Sequence, residues 1–311
     1  MHGLLRYVAR RLVYAVVTLW FIATLTFVLM HLVPGDPFSS EKLTPQIHQL
    51  MLKKYHMDRP LWQQYLTYLG NLARGDLGYS MRQMNRTVAD MIREGFPVSA
   101  HLGLQALALG LVAGLTLGIV AALHHNGWPD YVAVFLALVF ISVPNFVVGS
   151  VAQYVFGVRL GWLPVARWES PIHTILPTLT LAVSLLAGQT RLMRTSVLEV
   201  LGQDYIRTAH AKGLAPGEVL WRHTLRNAIL PIVTVMGPLT AGIVTGTFVV
   251  ETMFGIPGLG KYYVQSVYNR DYPLIMGTTV FYSVLLVGLN LLVDLAYTLV
   301  DPRIRLGKAA D

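Results

Sequence analysis

The sequence contains no cysteine, which excludes disulfides, thiolate catalysis and cysteine-based zinc sites in this chain. Charge is scarce too: Asp, Glu, Lys and Arg make up 13% of the residues, roughly half the share in a soluble domain. Neither G-x-S-x-G nor H-E-x-x-H occurs, so serine-hydrolase and zincin readings lack their main support. What is abundant is apolar surface, with 54% of the 311 residues hydrophobic. That balance points to a polytopic membrane protein. Bases outnumber acids, 24 to 16, for a net charge of +8. In a soluble protein this would suggest nucleic acid. Here basic loops beside anionic lipid account for it, and no nucleic-acid partner is expected.

The first apolar run, Leu12 to Leu32, follows Arg6, Arg10 and Arg11. It spans about 20 residues and ends in Val33-Pro34-Gly35-Asp36, longer than the core of a signal peptide and without its cleavage site, so it reads as an uncleaved first span. Five further runs are expected to cross a bilayer, near Ala100–Leu123, Tyr131–Phe156, Ile172–Leu192, Ile229–Phe254 and Ile275–Val300. Six spans place both termini on one side. If that side is the cytoplasm, the inside segments hold Arg6, Arg10, Arg11, then Arg191 to Arg226, then Arg303, Arg305 and Lys308. The short outside loops hold only Arg159, Arg167, Lys261 and Arg270. Cytoplasmic termini follow. The fold class expected is all-α, with residues 1–33 as N-terminus and first span, 34–97 as an extracytoplasmic helical segment, and 98–311 as a core of five spans carrying a cytoplasmic loop at 193–228.

The outer segment carries helix signals. Thr44-Pro45 reads as an N-cap with proline at the first helical position, and Asp58 as the cap of a second helix, "LWQQYLTYLGNLA". In that helix Leu61, Trp62, Tyr65, Leu66, Leu69 and Leu72 share one face, and Gly75 stops it. A cap packed on the spans and a surface that meets a substrate or partner are both open readings.

Several motifs carry less chemistry than they suggest. In "GIPGLGKYY", Gly255, Gly260 and Lys261 fit a phosphate-binding loop, but Tyr262 stands where Ser or Thr would hold magnesium, and no strand precedes it. A shaped turn after the fifth span is expected instead. His124-His125, His210 and His223 lack carboxylates at ligand spacing, so no metal site is assigned. Glu251 and Asp294 lie in spans, where a proton relay would place such groups; hydration or pairing near the span ends is the other account. Pro144, Pro177, Pro231 and Pro238 interrupt spans, and Asn145, Gln153, Gln189 and Asn290 add polar side chains there. As a set they are consistent with a translocation pathway; singly, each also fits a helix–helix hydrogen bond.

One polar block stands out, "DYIRTAHAKGLAPGEVLWRHTLRN" from Asp204 to Asn227. Asp204 can cap a helix over Tyr205–Lys212, Gly213 can end it, and Pro216 can open a second with Glu218 in its first turn. Ala209, Ala211 and Gly213 are small enough to let another surface approach the backbone. The block resembles the cytoplasmic loop of ABC importer permeases, whose usual pattern is E-A-A, three residues, then glycine, with I-x-L-P further on. Ala209 and Gly213 hold that frame. Arg207 and Thr208 replace the E-A pair, and Arg226 stands in place of the final proline, a variation of the peptide-importer branch. "YVARRL", "LVPGDP", "DRPLWQQYL", "GDLGYS", "ISVPNF", "ETMFGIPGLG", "NRDYPLIMG" and "LLVDLAYTLVDPRIRL" extend the resemblance along almost the whole chain. It is to the B-type permease subunits of the oligopeptide and dipeptide (Opp/Dpp) importers, with "PGDPFSSEK" and "HNGWPDY" closer to the oligopeptide members.

The resemblance implies a type I ABC importer permease fold in a bacterial or archaeal cell membrane. It implies a second permease (C-type), two ABC ATPases (D- and F-type) and an extracytoplasmic peptide-binding protein (A-type) as partners. ATP and magnesium would be used by the ATPases, with no cofactor on this chain and no enzymatic activity of its own. It implies an ATPase-coupling role for Asp204, Arg207, Ala209, His210, Lys212 and Gly213. Oligopeptides are the favoured substrate. Dipeptides, nickel and a proton-coupled carrier are the alternatives.

Overall fold

The computed structural model of the chain describes residues 2–32, 35, 37–38, 44–83, 85–246 and 248–300. Helices dominate: α1 is His2–Leu32, α2 Pro45–Lys54, α3 Leu61–Ala73, α4 Val88–Leu123, α5 Trp128–Ser142, α6 Asn145–Ala152 and α7 Ile172–Leu201. They continue as α8 Asp204–Ala211, α9 Pro216–Glu218, α10 Arg226–Ala228, α11 Leu230–Gly246, α12 Phe248–Met253, α13 Leu259–Asn269 and α14 Tyr272–Val300. Wider π-type turns follow α6 (Gln153–Arg159) and α9 (Val219–Leu225). Among the described residues the extended pairing is a lone antiparallel bridge between Tyr79 and Thr87.

Five helical stretches are long and apolar enough to cross a membrane: Val8–Leu32, Val88–Leu123, Ile172–Leu201, Leu230–Met253 and Tyr272–Leu292. The sixth expected span, Tyr131–Phe156, is not one straight helix. It is the pair Trp128–Ser142 and Asn145–Arg159, bent by 102°. Val143 turns extended (φ −95, ψ 124) ahead of Pro144, which has no amide hydrogen to continue the ladder. The other prolines break less than expected. α7 runs through Pro177 and α11 through Pro238, while Pro231 sits where α11 begins, its missing donor costing nothing.

The chain folds into two compact units. The first joins Met1–Pro97 with Gly258–Gly288. Its core gathers Phe27, Phe38, Met81, Tyr272 and Met276, with half-buried Tyr55, Tyr65 and Tyr68 packed against them. Thr44 is the N-cap of α2 with Pro45 behind it, but its side chain makes no capping bond. Asp58 does not cap α3. Pro60 holds that position, its extended ψ of 144 turning the chain in, and its carbonyl accepts from the amides of Gln63 (2.9 Å) and Gln64 (3.2 Å). Gly75 ends the helix region at φ +76. Thr87 caps α4: its hydroxyl donates to Asp90 at 2.5 Å, and the Asp90 amide returns a bond at 3.1 Å.

The second unit joins Val98–Pro257 with Leu289–Asp311. One core cluster holds Leu102, Ala106, Leu176, Leu181, Ala182, Val250, Phe254 and Ile256. Another, toward the far end of α7, holds Ala122, Met193, Val197, Ala228 and Ile232. Close packing of α4 on α7 rests on glycine. A Cβ on Gly110 would lie 2.7 Å from that of Leu185, one on Gly114 2.8 Å from the carbonyl oxygen of Leu186, and one on Gly118 2.7 Å from that of Thr190. Glycine at every fourth position is the packing device of apolar helices that touch backbone to backbone.

Candidate functional site: a polar helix–turn–helix block

α7 carries the site. It continues as helix to Leu201, so the loop expected from residue 193 begins nine residues later, and a rigid rod runs into the polar block. Near that end Arg194 Nε donates to Asp130 Oδ1 at 2.5 Å and a terminal guanidinium nitrogen donates to Oδ2 at 2.7 Å. His125 Nδ1 lies 3.2 Å from the same carboxylate, as does the Asn126 amide at 3.0 Å. Asp130 is 2% exposed. The pair therefore ties the start of α5 to the end of α7.

After Gly202, Gln203 goes extended (φ −77, ψ 147) and is the N-cap of α8. Asp204 is not the cap, as the sequence suggested; it sits one place inside, in the first turn, where its charge favours the helix dipole. Arg207 lies 3.6 Å from it, both side chains exposed, so the contact adds little stability. α8 closes at Lys212 with Gly213 at φ +80. The Gly213 amide donates to His210 O (2.9 Å) and the Leu214 amide to Ala209 O (3.4 Å), the two bonds of a Schellman stop. Ala215 then caps α9 with Pro216 at its first position, and Glu218 pairs with Arg222 at 2.5 Å.

What holds the two helices together is a small apolar cluster of Ile206, Ala209 and Val219, with Leu214, Val200 and Leu201 against it. Ala209 is 5% exposed, so its smallness serves close packing inside the block, not the approach of an outside surface. Asp204, Arg207, His210, Lys212 and Gly213 all lie exposed on the surface. Tyr205 and Trp221 join them, Trp221 at 72% exposure. An indole amid a basic segment is the sequence signal of Trp221.

The polar residues in the spans separate by environment. Asn145 Oδ1 accepts from the Ser184 hydroxyl, linking α6 to α7. Gln153 donates to the carbonyls of Val165 (2.8 Å) and Met253 (3.3 Å). Both thus make internal hydrogen bonds. Gln189 is buried on α7, and its Oε1 has no partner among the described residues. Asn290 is half-buried on α14. The structure does not bring the four together into one constellation of contacts. Glu251 is fully buried, at 0% exposure, so hydration is not how its carboxyl is accommodated. The side chain of Asp294 lies outside the described residues.

"GIPGLGKYY" is a turn. Gly255 adopts φ +63, the Ile256 amide donates to Glu251 O at 2.8 Å, and Gly258 caps α13. Gly260 is buried within the first turn of α13. Among the described residues no group of three or more His, Asp or Glu is placed to hold a metal ion. His125 instead sits on the Asp130–Arg194 pair.

Residues 114–306 match the family described as the binding-protein-dependent transport system inner membrane component. Residues 4–103 match the N-terminal region of the same membrane component. The chain belongs to this family. It is a multi-pass permease subunit of the ABC importers. Its relatives include the dipeptide transport permease DppB of Bacillus subtilis, 50% identical over 97% of this chain and 99% of that one. The oligopeptide permease OppB of Haemophilus influenzae is 40% identical over 97% and 100%, and OppB of Salmonella typhimurium 39% over the same shares. Two solved transporters share the permease fold. An amino acid ABC transporter crystallised with histidines aligns with a TM-score of 0.53 at 18% identity, over 67% of this chain and 93% of that one. The methionine transporter MetNI aligns with a TM-score of 0.51 at 20% identity, over 69% and 94%.

Proposed function

We propose that this permease forms half of the translocation pathway of an ATP-driven peptide importer, with both termini in the cytoplasm, and receives its driving force through the block at Asp204–Asn227. The observation that carries the reading is the block's construction. It is an ordered, outward-facing helix, glycine turn and helix, fixed to the end of one long span-forming rod, in a chain whose B-type relatives at 38–50% identity are peptide permeases. Arg207, His210, Lys212 and Gly213, with Asp204 beside them, meet the ATPase surface, and Ala209 keeps the block rigid from within. Closure of two partner ATPases around ATP and magnesium displaces α8, and α7 transmits that displacement to the spans, a two-state change biased by nucleotide. A second, C-type permease completes the pathway, and an extracytoplasmic binding protein delivers the peptide. Gln189, with its bare buried oxygen, is the strongest of the pathway residues; Asn145, Gln153 and Asn290 are weaker members.

Identity does not favour oligopeptides over dipeptides, since the Bacillus dipeptide permease stands at 50% and the Haemophilus oligopeptide permease at 40%. The substrate is therefore put as short peptides. The test is to tag the chain, extract native membranes in mild detergent and identify what co-purifies. Two Walker-type ATPases and a second six-span permease are expected, with peptide uptake abolished by Gly213→Val while the complex still assembles. Recovery of the chain alone, under conditions that preserve such complexes, together with uptake that collapses with the proton gradient, would overturn it.

A further inference from the structure

In a helix that lies on a protein surface in water, the exposed positions are polar and the apolar ones face the core. α3 departs from that pattern on one side. Its exposed residues are Leu61, Trp62, Leu66, Gly70 and Ala73, all apolar or small, while Gln63, Gln64, Thr67 and Asn71 are half-buried together with Tyr65, Tyr68, Leu69 and Leu72. Trp62 is 62% and Leu66 58% exposed. No residue of α3 is charged, yet Arg59 precedes it and Arg74 follows it.

The position of α3 along α1 explains this pattern. Gln64 Oε1 meets His31 Nε2 at 3.2 Å, one residue from the end of the span. The Tyr65 ring packs on Phe27 with centroids 5.3 Å apart, and its hydroxyl bonds that of Thr24 at 2.7 Å. Thr24 is eight residues inside Leu32, about 12 Å along the helix axis at 1.5 Å per residue. α3 therefore lies beside the last two turns of an apolar span, whose own Leu25, Val28, Leu29 and Leu32 are exposed. A groove of about 270 Å³ between the two helices is lined by Phe27, Val28, Leu32, Leu61, Trp62 and Tyr65, together with His31. The exposed apolar side of α3 and the groove are continuous with the exposed apolar side of α1. Amphipathic helices at a membrane surface sit with their apolar face about 5–10 Å into the boundary between headgroups and acyl chains, and tryptophan concentrates at that level.

We infer that α3 is an interfacial membrane helix, lying in the leaflet at the Leu32 end of the first span with Leu61, Trp62 and Leu66 among phospholipid acyl chains and Arg59 and Arg74 at the headgroups. The inference needs only that α1 spans the membrane, and stands whichever way the chain is oriented.

The absence of cysteine makes the test direct, because one introduced thiol labels one position. The full chain carrying Leu66→Cys, or Thr67→Cys on the other side of the helix, is spin-labelled and reconstituted in phosphatidylethanolamine–phosphatidylglycerol vesicles. Collisions with oxygen, which concentrates in lipid, are compared with collisions with a water-soluble nickel chelate. The Leu66 label is expected to favour oxygen over nickel by several fold relative to the Thr67 label. Equal nickel access at both positions would mean that α3 faces water; a Leu66 label that neither agent reaches would mean that protein covers it. Either result overturns the inference. Quenching by lipids with brominated acyl chains checks the native side chain: the full chain should lose more fluorescence than its Trp62→Phe variant, and an equal loss also overturns it.

Discussion

Asp130 and Arg194 are 64 positions apart in the sequence and form a two-pronged ion pair, at 2.5 and 2.7 Å. The carboxylate side chain is 3% exposed and the guanidinium side chain 22%. Removing one partner of a buried pair leaves the other charge uncompensated, at a cost of about 3–5 kcal/mol. Asp130→Ala is expected near the low end, since Arg194 keeps some contact with water. The midpoint of thermal unfolding of the detergent-solubilised chain should drop by several degrees. Replacing both partners with leucine should recover much of the loss. Single variants that melt with the parent chain would show that the pair contributes nothing.

The glycine stripe of α4 predicts a contrast between two substitutions that look alike. Gly114→Ala puts a Cβ 2.8 Å from a backbone oxygen of α7, which α7 can relieve only by moving, for a loss of about 1–3 kcal/mol. Gly242→Ala, on α11, meets nothing within 4 Å and should stay within about 0.5 kcal/mol of the parent. Unfolding midpoints of the two variants, measured side by side, check this. Equal midpoints would mean that α4 does not pack on α7 through these glycines.

How much was legible in the sequence follows from how local each determinant is. The block's stop at Gly213 and the restart at Pro216 were readable because a φ of +80 and a missing amide are properties of single residues. The cap lies one residue before the position that side-chain preference indicates, because Gln203, not Asp204, turns extended, a matter of backbone path. The burial of Ala209 is invisible in its local sequence because it depends on Val219, ten residues on, folding back over it. The glycines at 110, 114 and 118 announce close helix packing by their spacing, but nothing in the sequence names α7 as the partner. The proline at 144 marks an interruption, whereas the 102° angle follows from the backbone path through Val143, which residue type alone does not specify. Arg194 looked like one more basic residue of the polar loop until α7 proved to run on to Leu201.

Tyr68 predicts an alkaline weakness in the segment between the first two spans. Burial, and then the neighbouring Tyr65, push its phenol up to about 12, and its hydroxyl has no hydrogen-bond partner among the described residues. An unfolded tyrosine loses its proton near pH 10, so between about pH 10 and 12 the folded form holds a proton that the unfolded form has lost. Stability is then complete below pH 10 and falls as pH rises through that window. Tyr68→Phe should remove this part of the alkaline loss and leave neutral-pH stability almost unchanged, since no bond is lost. Unfolding midpoints at pH 8 and pH 11 for both proteins would decide it. A parent chain and variant with the same pH dependence would contradict the assignment.

Asp271 organises the junction ahead of α14, and its variants predict a specific pattern of coupling. The carboxylate, 1% exposed, accepts from the Ser80 hydroxyl, from the Met81 amide at 3.1 Å and from the Leu274 amide at 3.4 Å. It thus ties the 78–88 loop to the first turn of α14, and Arg82 reinforces the tie by donating to Asn269 O at 2.8 Å. Hydrogen bonds to a charged acceptor contribute about 1.5–3 kcal/mol each. Asp271→Ala should therefore cost at least that much and open the loop to protease, while Asp271→Asn, which keeps an acceptor oxygen, should cost less. Ser80→Ala alone should cost about 1.5 kcal/mol, yet add almost nothing in the Asp271→Ala background, because the bond it removes is already gone. Full additivity of the two substitutions, read from unfolding midpoints and cleavage rates together, would mean that Ser80 and Asp271 act separately and that the loop is held by other contacts.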